Sequence, residues 1–360
     1  MNSTKFTDKL LSLYGMSSTP HLLTIVGGGI AAAVFLKTIF SQKKVGIDDV
    51  EKKPLPVAPS GSKFIKLPNS RVTLRYIDDA NDDPNSNSEQ VTFVLLHGFA
   101  GVVETWEFLT PYFLDTKRKT RVVALDLVGS GFSDKPDGDD FDYACRSHGR
   151  VVSEFISVLG LSNVVVVGHS SGSLAAASTA LQSTKNVIGA VFVANALFRP
   201  KSTFFSKPWL KPLFRWMVKK MMADRKKSLE RMHSPALADR ILTESFVEKF
   251  AAPTRLPKFN DALIEGIMVK EEPYENLVDE LLSIALPLLF VFGKDDTYKP
   301  IPDDQKEWIR LKLDAMDAKT REGQRVDIIE LEECHHYAQH EQPEALAKQI
   351  FTFVEKNTTL

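Results

Sequence analysis

Gly168-His169-Ser170-Ser171-Gly172 stands between the run VVVV and the helix-like stretch LAAASTALQS. Glycines at a strand-to-helix junction permit a tight, strained turn that can leave the middle serine hydroxyl exposed as a nucleophile. Taken alone, the same five residues also suit a plain connecting turn. More chemistry lies along the chain. After the run VTFVLL comes His97-Gly98-Phe99-Ala100-Gly101, a loop that can aim the Phe99 backbone N–H at the point faced by the Ser171 N–H. Two such donors stabilise an oxyanion, with His97 and Gly98 supporting the loop. Gly293-Lys294-Asp295-Asp296 puts carboxylates at the end of the run LPLLFVFG, and Cys334-His335-His336 follows a later apolar run. Serine as nucleophile, histidine as proton carrier and aspartate as the group that orients the ring together perform acyl transfer.

HGFAG, the segment Asp126-Leu127-Val128-Gly129-Ser130-Gly131-Phe132-Ser133, GHSSG, GKDD and HHYAQHEQPE together resemble the α/β-hydrolase fold superfamily over about residues 63 to 355. The chain order Ser, Asp, His is that of the triad on this fold. Two positions depart from the pattern. Val128 stands where many relatives have Pro, and His335 stands where Gly usually precedes the catalytic His. The resemblance implies Ser170, Asp296 and His336 as the triad, because its G-x-x-D pattern selects Asp296 over Asp295. Its spacing from His to Glu341-x-Pro343 favours His336 over His335. Some relatives carry the acid after an earlier strand, where this chain has Asn195, an amide that cannot stabilise an imidazolium. His169 reads as an elbow packing residue, while His148, His233 and His340 read as structural. Relatives that open epoxides or displace halide use a carboxylate at the position of Ser170, so the serine points to acyl transfer to water. No metal or cofactor is implied.

These residues need a frame to bring them together. Phe64–Leu67 and Arg71–Ile77 read as a β-hairpin, after which Val91–Leu96, Val122–Leu125, Val164–Val167, Val187–Val193, Leu288–Phe292 and Val326–Leu331 are apolar runs separated by helical stretches. Continuous runs of this kind suit strands buried on both faces, which gives an α/β fold with a mostly parallel eight-stranded sheet flanked by helices. About ninety residues between the fourth and fifth of these runs carry no strand signal, which predicts an inserted helical cap. The expected division is a core of residues 63–197 and 286–357 and a cap of 198–285.

Residues 22–40 are long and apolar enough to predict a single membrane-crossing helix within an N-terminal segment 1–44, followed by a linker over 45–62. Lysines are more numerous after the run than before it, which places the catalytic part in the cytosol. Gly27, Gly29 and Ala32 match a dinucleotide fingerprint in spacing, but the polar, Pro-punctuated stretch that follows lacks the second strand such a unit needs.

Across 360 residues, 45 Lys and Arg balance 46 Asp and Glu, so no whole-chain charge argues for nucleic acid. Two cysteines, Cys145 and Cys334, are too few for a disulfide framework. From Phe198 to Arg231, eleven basic residues stand against two acidic ones, interleaved with Trp209, Phe214, Trp216, Met217 and other bulky residues. Such a stretch suits an anionic bilayer surface, and equally a cap whose aromatics pack inward while its lysines stay solvated. The leading expectation is a serine hydrolase of lipid or acyl-glycerol esters. Alternatives are a receptor-like or scaffold protein that uses the capped pocket for ligand binding, or a hydrolase of C–C, thioester, amide or epoxide bonds.

Overall fold

The computed structural model describes residues 54–81, 89–197, 206–269, 274–297, 307, 309–312, 314 and 325–357. The expected membrane-crossing helix at 22–40 lies outside the described residues. Among the described residues, no helix is long and apolar enough to cross a membrane.

The two hairpin runs and the six apolar runs all become strands of one sheet: β1 (Lys63–Lys66), β2 (Thr73–Asn81), β3 (Val91–Leu96), β4 (Thr120–Leu125), β5 (Val164–His169), β6 (Val187–Val193), β7 (Leu288–Gly293) and β8 (Val326–Leu331). Their spatial order is β1-β2-β4-β3-β5-β6-β7-β8. The pairs β1–β2 and β2–β4 are antiparallel, and β4–β3, β3–β5, β5–β6, β6–β7 and β7–β8 are parallel. The helices are α1 (Thr110–Leu114), α2 (Cys145–Val158), α3 (Gly172–Gln182), α4 (Lys211–Ala223), α5 (Arg225–Glu230), α6 (Pro235–Ile241), α7 (Glu244–Ala251), α8 (Phe259–Met268), α9 (Tyr274–Ser283), α10 (Ala338–Glu341) and α11 (Pro343–Asn357).

Strand side chains alternate between two cores, as a period of two requires. Val94, Leu96, Val164 and Val166 pack with α2, α3 and α9 on one face. Phe93, Leu95, Val165 and Val167 pack with Phe113 of α1 and with Leu346, Ile350 and Phe353 of α11 on the other. Helices on both faces explain why these strands read as unbroken apolar runs. Each such side chain, fully buried, contributes about 1.5–3 kcal/mol.

The predicted cap range 198–285 divides in the structure. Helices α4 to α8 form the cap, with Phe214, Met217 and Val218 of α4 packed on Phe259, Leu263 and Ile264 of α8. Helix α9, expected in the cap, buries Leu277, Val278, Leu281 and Leu282 in the sheet core instead. Its apolar positions cannot reveal which layer they face, so the sequence left this boundary open.

The segment Asp126–Ser133 is organised by a buried charge cluster. Arg75 Nη2 donates to Glu104 Oε1 at 2.6 Å and Nη1 to Asp126 Oδ2 at 3.3 Å. Asp126 also accepts the N–H groups of Val103 and Phe132, and Ser133 Oγ donates to the Asp126 carbonyl. Gly131 has a positive φ, and a Cβ there would collide with the Asp126 carboxylate, so the motif tolerates no side chain. Ion pairing and hydrogen bonding offset the desolvation of all three charges.

Candidate active site

Ser170 sits at the end of β5 with a positive φ of 52°, in the left-handed region that non-glycine residues adopt at strained turns. Ser170 N–H donates to the Val193 carbonyl, and its own carbonyl accepts from Ser173 and Ala196. These bonds from β6 and from the first turn of α3 hold the strained residue. A Cβ on Gly172 would run into the carbonyls of Leu96 and His97, which explains the second glycine of the motif. The turn thus presses against the end of β3, where the HGFAG loop begins.

His336 Nε2 lies 3.0 Å from Ser170 Oγ, and His336 Nδ1 lies 2.8 Å from Asp296 Oδ2. All three side chains are buried, and a carboxylate accepts only, so Nδ1 carries the proton and Nε2 is left to accept from the serine. Asp295, the neighbouring carboxylate, is exposed. His335 points elsewhere: its N–H donates to Glu341 Oε2 at 2.9 Å, and its ring Nδ1 lies 3.6 Å from the same oxygen. The structure therefore brings together Ser170, Asp296 and His336 from the ends of β5, β7 and β8.

The loop after β3 runs next to the serine. A Cβ on Gly98 would meet Ser170 Cβ at 3.0 Å, so this loop passes beside the serine. His97 Nε2 accepts the Leu127 N–H at 3.0 Å, which fixes its tautomer: Nδ1 carries the proton and donates to the Gly98 carbonyl at 2.8 Å. Burial lowers the His97 pKa below the ordinary histidine value, so the ring stays neutral and ties the loop to the strand-end segment at Leu127. Phe99, Ala100 and Ser171 line a cavity of about 160 Å³ whose other walls include Leu127, Val128, Leu174 and Leu263. Its walls mix these apolar side chains with His97, Ser130, Tyr143 and His148, and Ser171 rather than Ser170 lines it.

The sequence did not reveal what the cap does here. His336 N–H donates to the Met232 carbonyl at 3.2 Å, and its carbonyl accepts from His169 Nε2 at 2.9 Å. Glu341 takes the Ser234 N–H on one oxygen and the His335 N–H on the other. Burial raises the Glu341 pKa, against these two backbone donors. His233 and His340 face each other at 2.8 Å through Nε2 and Nδ1, and Tyr337 stacks on both rings, 4.5 and 4.6 Å between centroids. Their outer nitrogens reach the carbonyls of Leu229 and Thr105. From α5, Arg225 Nη2 donates to the Ala100 carbonyl at 3.0 Å. A buried Arg among lysines and arginines carries no sequence mark of its own.

Residues 93–349 match the profile of the alpha/beta hydrolase family, and the chain belongs to that family. Among curated relatives, a probable 1-acylglycerol-3-phosphate O-acyltransferase of Oryza sativa subsp. japonica is 29% identical over 182 residues, 49% of this chain and 39% of that protein. A haloalkane dehalogenase of Mesorhizobium japonicum is 24% identical over 210 residues, 58% of this chain and 59% of the relative. The chain thus matches less than two thirds of the length of either. The solved enol-lactonase of Burkholderia xenovorans LB400 superposes with a TM-score of 0.61 at 16% identity, covering 81% of this chain and all of that one, and so shares the fold.

Proposed function

We propose that this hydrolase cleaves carboxylic esters, of lipid or acyl-glycerol type, through an acyl-enzyme. The observation that carries the reading is the unbroken row from Ser170 Oγ through His336 to Asp296. Ser170 Oγ attacks the ester carbonyl while His336 Nε2 takes the hydroxyl proton, and Asp296 stabilises the imidazolium. The backbone N–H groups of Phe99 and Ser171 receive the oxyanion. Collapse expels the alcohol, which leaves with the proton from His336. Water then attacks the acyl-serine, His336 takes its proton and returns it to Ser170, and the carboxylic acid departs.

Two features support a lipid substrate. The cavity at Ser171 has apolar side chains in its walls, Leu127, Val128, Leu174 and Leu263 among them. The outer side of α4 and the turn before it also carry apolar bulk: Trp209, Leu213 and Trp216 are 66%, 41% and 40% exposed, at helical spacing. Lys207, Arg215 and Lys219 are exposed beside them, and Lys220 lies over the Trp216 ring at 5.3 Å. Aromatic side chains within a basic rim suit an anionic bilayer, while Phe214, Met217 and Val218 on the inner side of α4 pack within the cap. Residues 22–40 would add a single-pass anchor with the catalytic part in the cytosol.

The test is fluorophosphonate labelling of the protein and of Ser170→Ala, followed by turnover of p-nitrophenyl esters of increasing chain length. Labelling and turnover confined to the unsubstituted protein, with an optimum at longer chains, support the reading. A folded protein that neither labels nor hydrolyses any ester ends it.

A further inference from the structure

Arg225 is 6% exposed, and among the described residues its guanidinium has a single hydrogen-bond acceptor, the Ala100 carbonyl at 3.0 Å. Its Nε is buried without a partner. Among the described residues no carboxylate lies within ion-pairing distance of it, in contrast with Arg75, which has two. Burial lowers the Arg225 pKa, and the Tyr337 phenol is the ionisable neighbour that opposes this shift. Ala100 belongs to the loop beside Ser170, and Tyr337 follows His336 in the chain. The guanidinium therefore lies between the loop of the oxyanion donors and the loop of the catalytic base.

A guanidinium has five N–H donors in a planar fork. To hold one carbonyl, a neutral amide or hydroxyl would serve, without the desolvation of a full charge. An uncompensated buried cation is instead what an anion-binding position requires, because the bond to a carboxylate or phosphate is strengthened by exclusion of water. Arg225 does not line the cavity that Ala100 lines, so the two positions are separate.

We propose that Arg225 binds an anionic group, a carboxylate or phosphate, on a substrate whose acyl part occupies the neighbouring cavity. This deepens the ester-hydrolase reading and rests on it for the word substrate. Nε–H and the second N–H of Nη2, which the Ala100 carbonyl leaves available, lie on one edge of the guanidinium and supply the two parallel donors of a bidentate contact.

The experiment uses the full chain, Arg225→Met and Arg225→Lys in two arms. The first reads the thermal shift produced by hexyl phosphate, hexanoate and hexanol at equal concentration. The second compares kcat/KM for a 1-acylglycerol and its 3-phosphate, whose anionic group lies on the leaving alcohol. In the unsubstituted protein the anions raise the melting temperature more than hexanol does, with the larger shift showing whether phosphate or carboxylate is preferred. In Arg225→Met the difference vanishes and the anionic-to-neutral ratio of kcat/KM falls roughly tenfold or more. Arg225→Lys, which keeps the charge, retains part of both and controls for misfolding. Anions that act no better than hexanol, or a preference that survives in Arg225→Met, overturn the proposal. If no ester is hydrolysed but the Arg225-dependent shift appears, the ester reading falls and the anion site stands.

Discussion

The backbone N–H of His336 donates to the carbonyl of Met232, so the residue at the centre of the triad hangs from the cap. Met232, His233 and Ser234 each touch the His336 loop, through this bond, the His233–His340 contact and the Ser234–Glu341 bond. Moving this corner of the cap breaks a bond of the catalytic base itself. His233→Ala is expected to lower kcat about ten- to a hundred-fold with KM within about threefold, since alignment rather than binding is lost. His233→Gln restores most of the rate, because its amide supplies a donor to His340 Nδ1. Steady-state kinetics normalised to fluorophosphonate-titrated sites separates this from partial unfolding.

The two adjacent carboxylates have unequal parts. Asp296→Asn leaves the ring without the partner that sets its tautomer, and kcat is expected to fall about 10³- to 10⁴-fold. Exposed Asp295→Asn is expected to stay within about threefold. Equal losses from both would show that the acid has been misassigned.

Arg75 joins β2 to Glu104 and Asp126 with almost no access to water. Arg75→Met strands two buried carboxylates and is expected to cost about 3–5 kcal/mol, read from urea unfolding. Adding Glu104→Gln to that variant returns part of the loss, because one of the two stranded charges is then removed.

Acid stability follows from two buried rings. Burial lowers both His148 and His233 from 6.5 to about 4. The unfolded chain therefore binds more protons between these values, and stability is present above pH 6.5 and lost as pH falls towards 4. Each ring accounts for about 3 kcal/mol of that loss at pH 4. Denaturant midpoints across pH 4–7 should fall with acid, and less steeply in His148→Phe. An unchanged slope in that variant would refute the role of His148.

How far the sequence could carry this reading depends on range. Val164–Val167 read as a strand because four β-branched residues in a row suit burial on both faces, and only its two C-terminal residues, Gly168 and His169, were missed. β2 runs on to Asn81 because its pairing with β4 extends to Thr120, through polar residues that carry no strand signal. Ser170, Asp296 and His336 were legible because each follows a strand, which fixes where it emerges. The same logic fails for Met232, which acts through a backbone carbonyl, and for Arg225 and His233, whose partners are decided by how the cap sits. The aromatic stretch of the cap divides between both of its readings: Phe214 is buried, while Trp209 and Trp216 stay outside.

The pairing of β6 with β7 has a consequence for synthesis. Ala190 and Leu288 are sheet partners roughly a hundred residues apart in the chain. At about 5–20 residues per second, a ribosome takes on the order of 5–20 s to bridge that interval. Throughout it the nucleophile half has emerged while β6, an apolar strand, waits as an open edge. An unpaired apolar edge is a template for pairing with another chain until Leu288–Val291 covers it. The serine is made early, but the carboxylate and the histidine that activate it arrive only after the cap has been threaded between them.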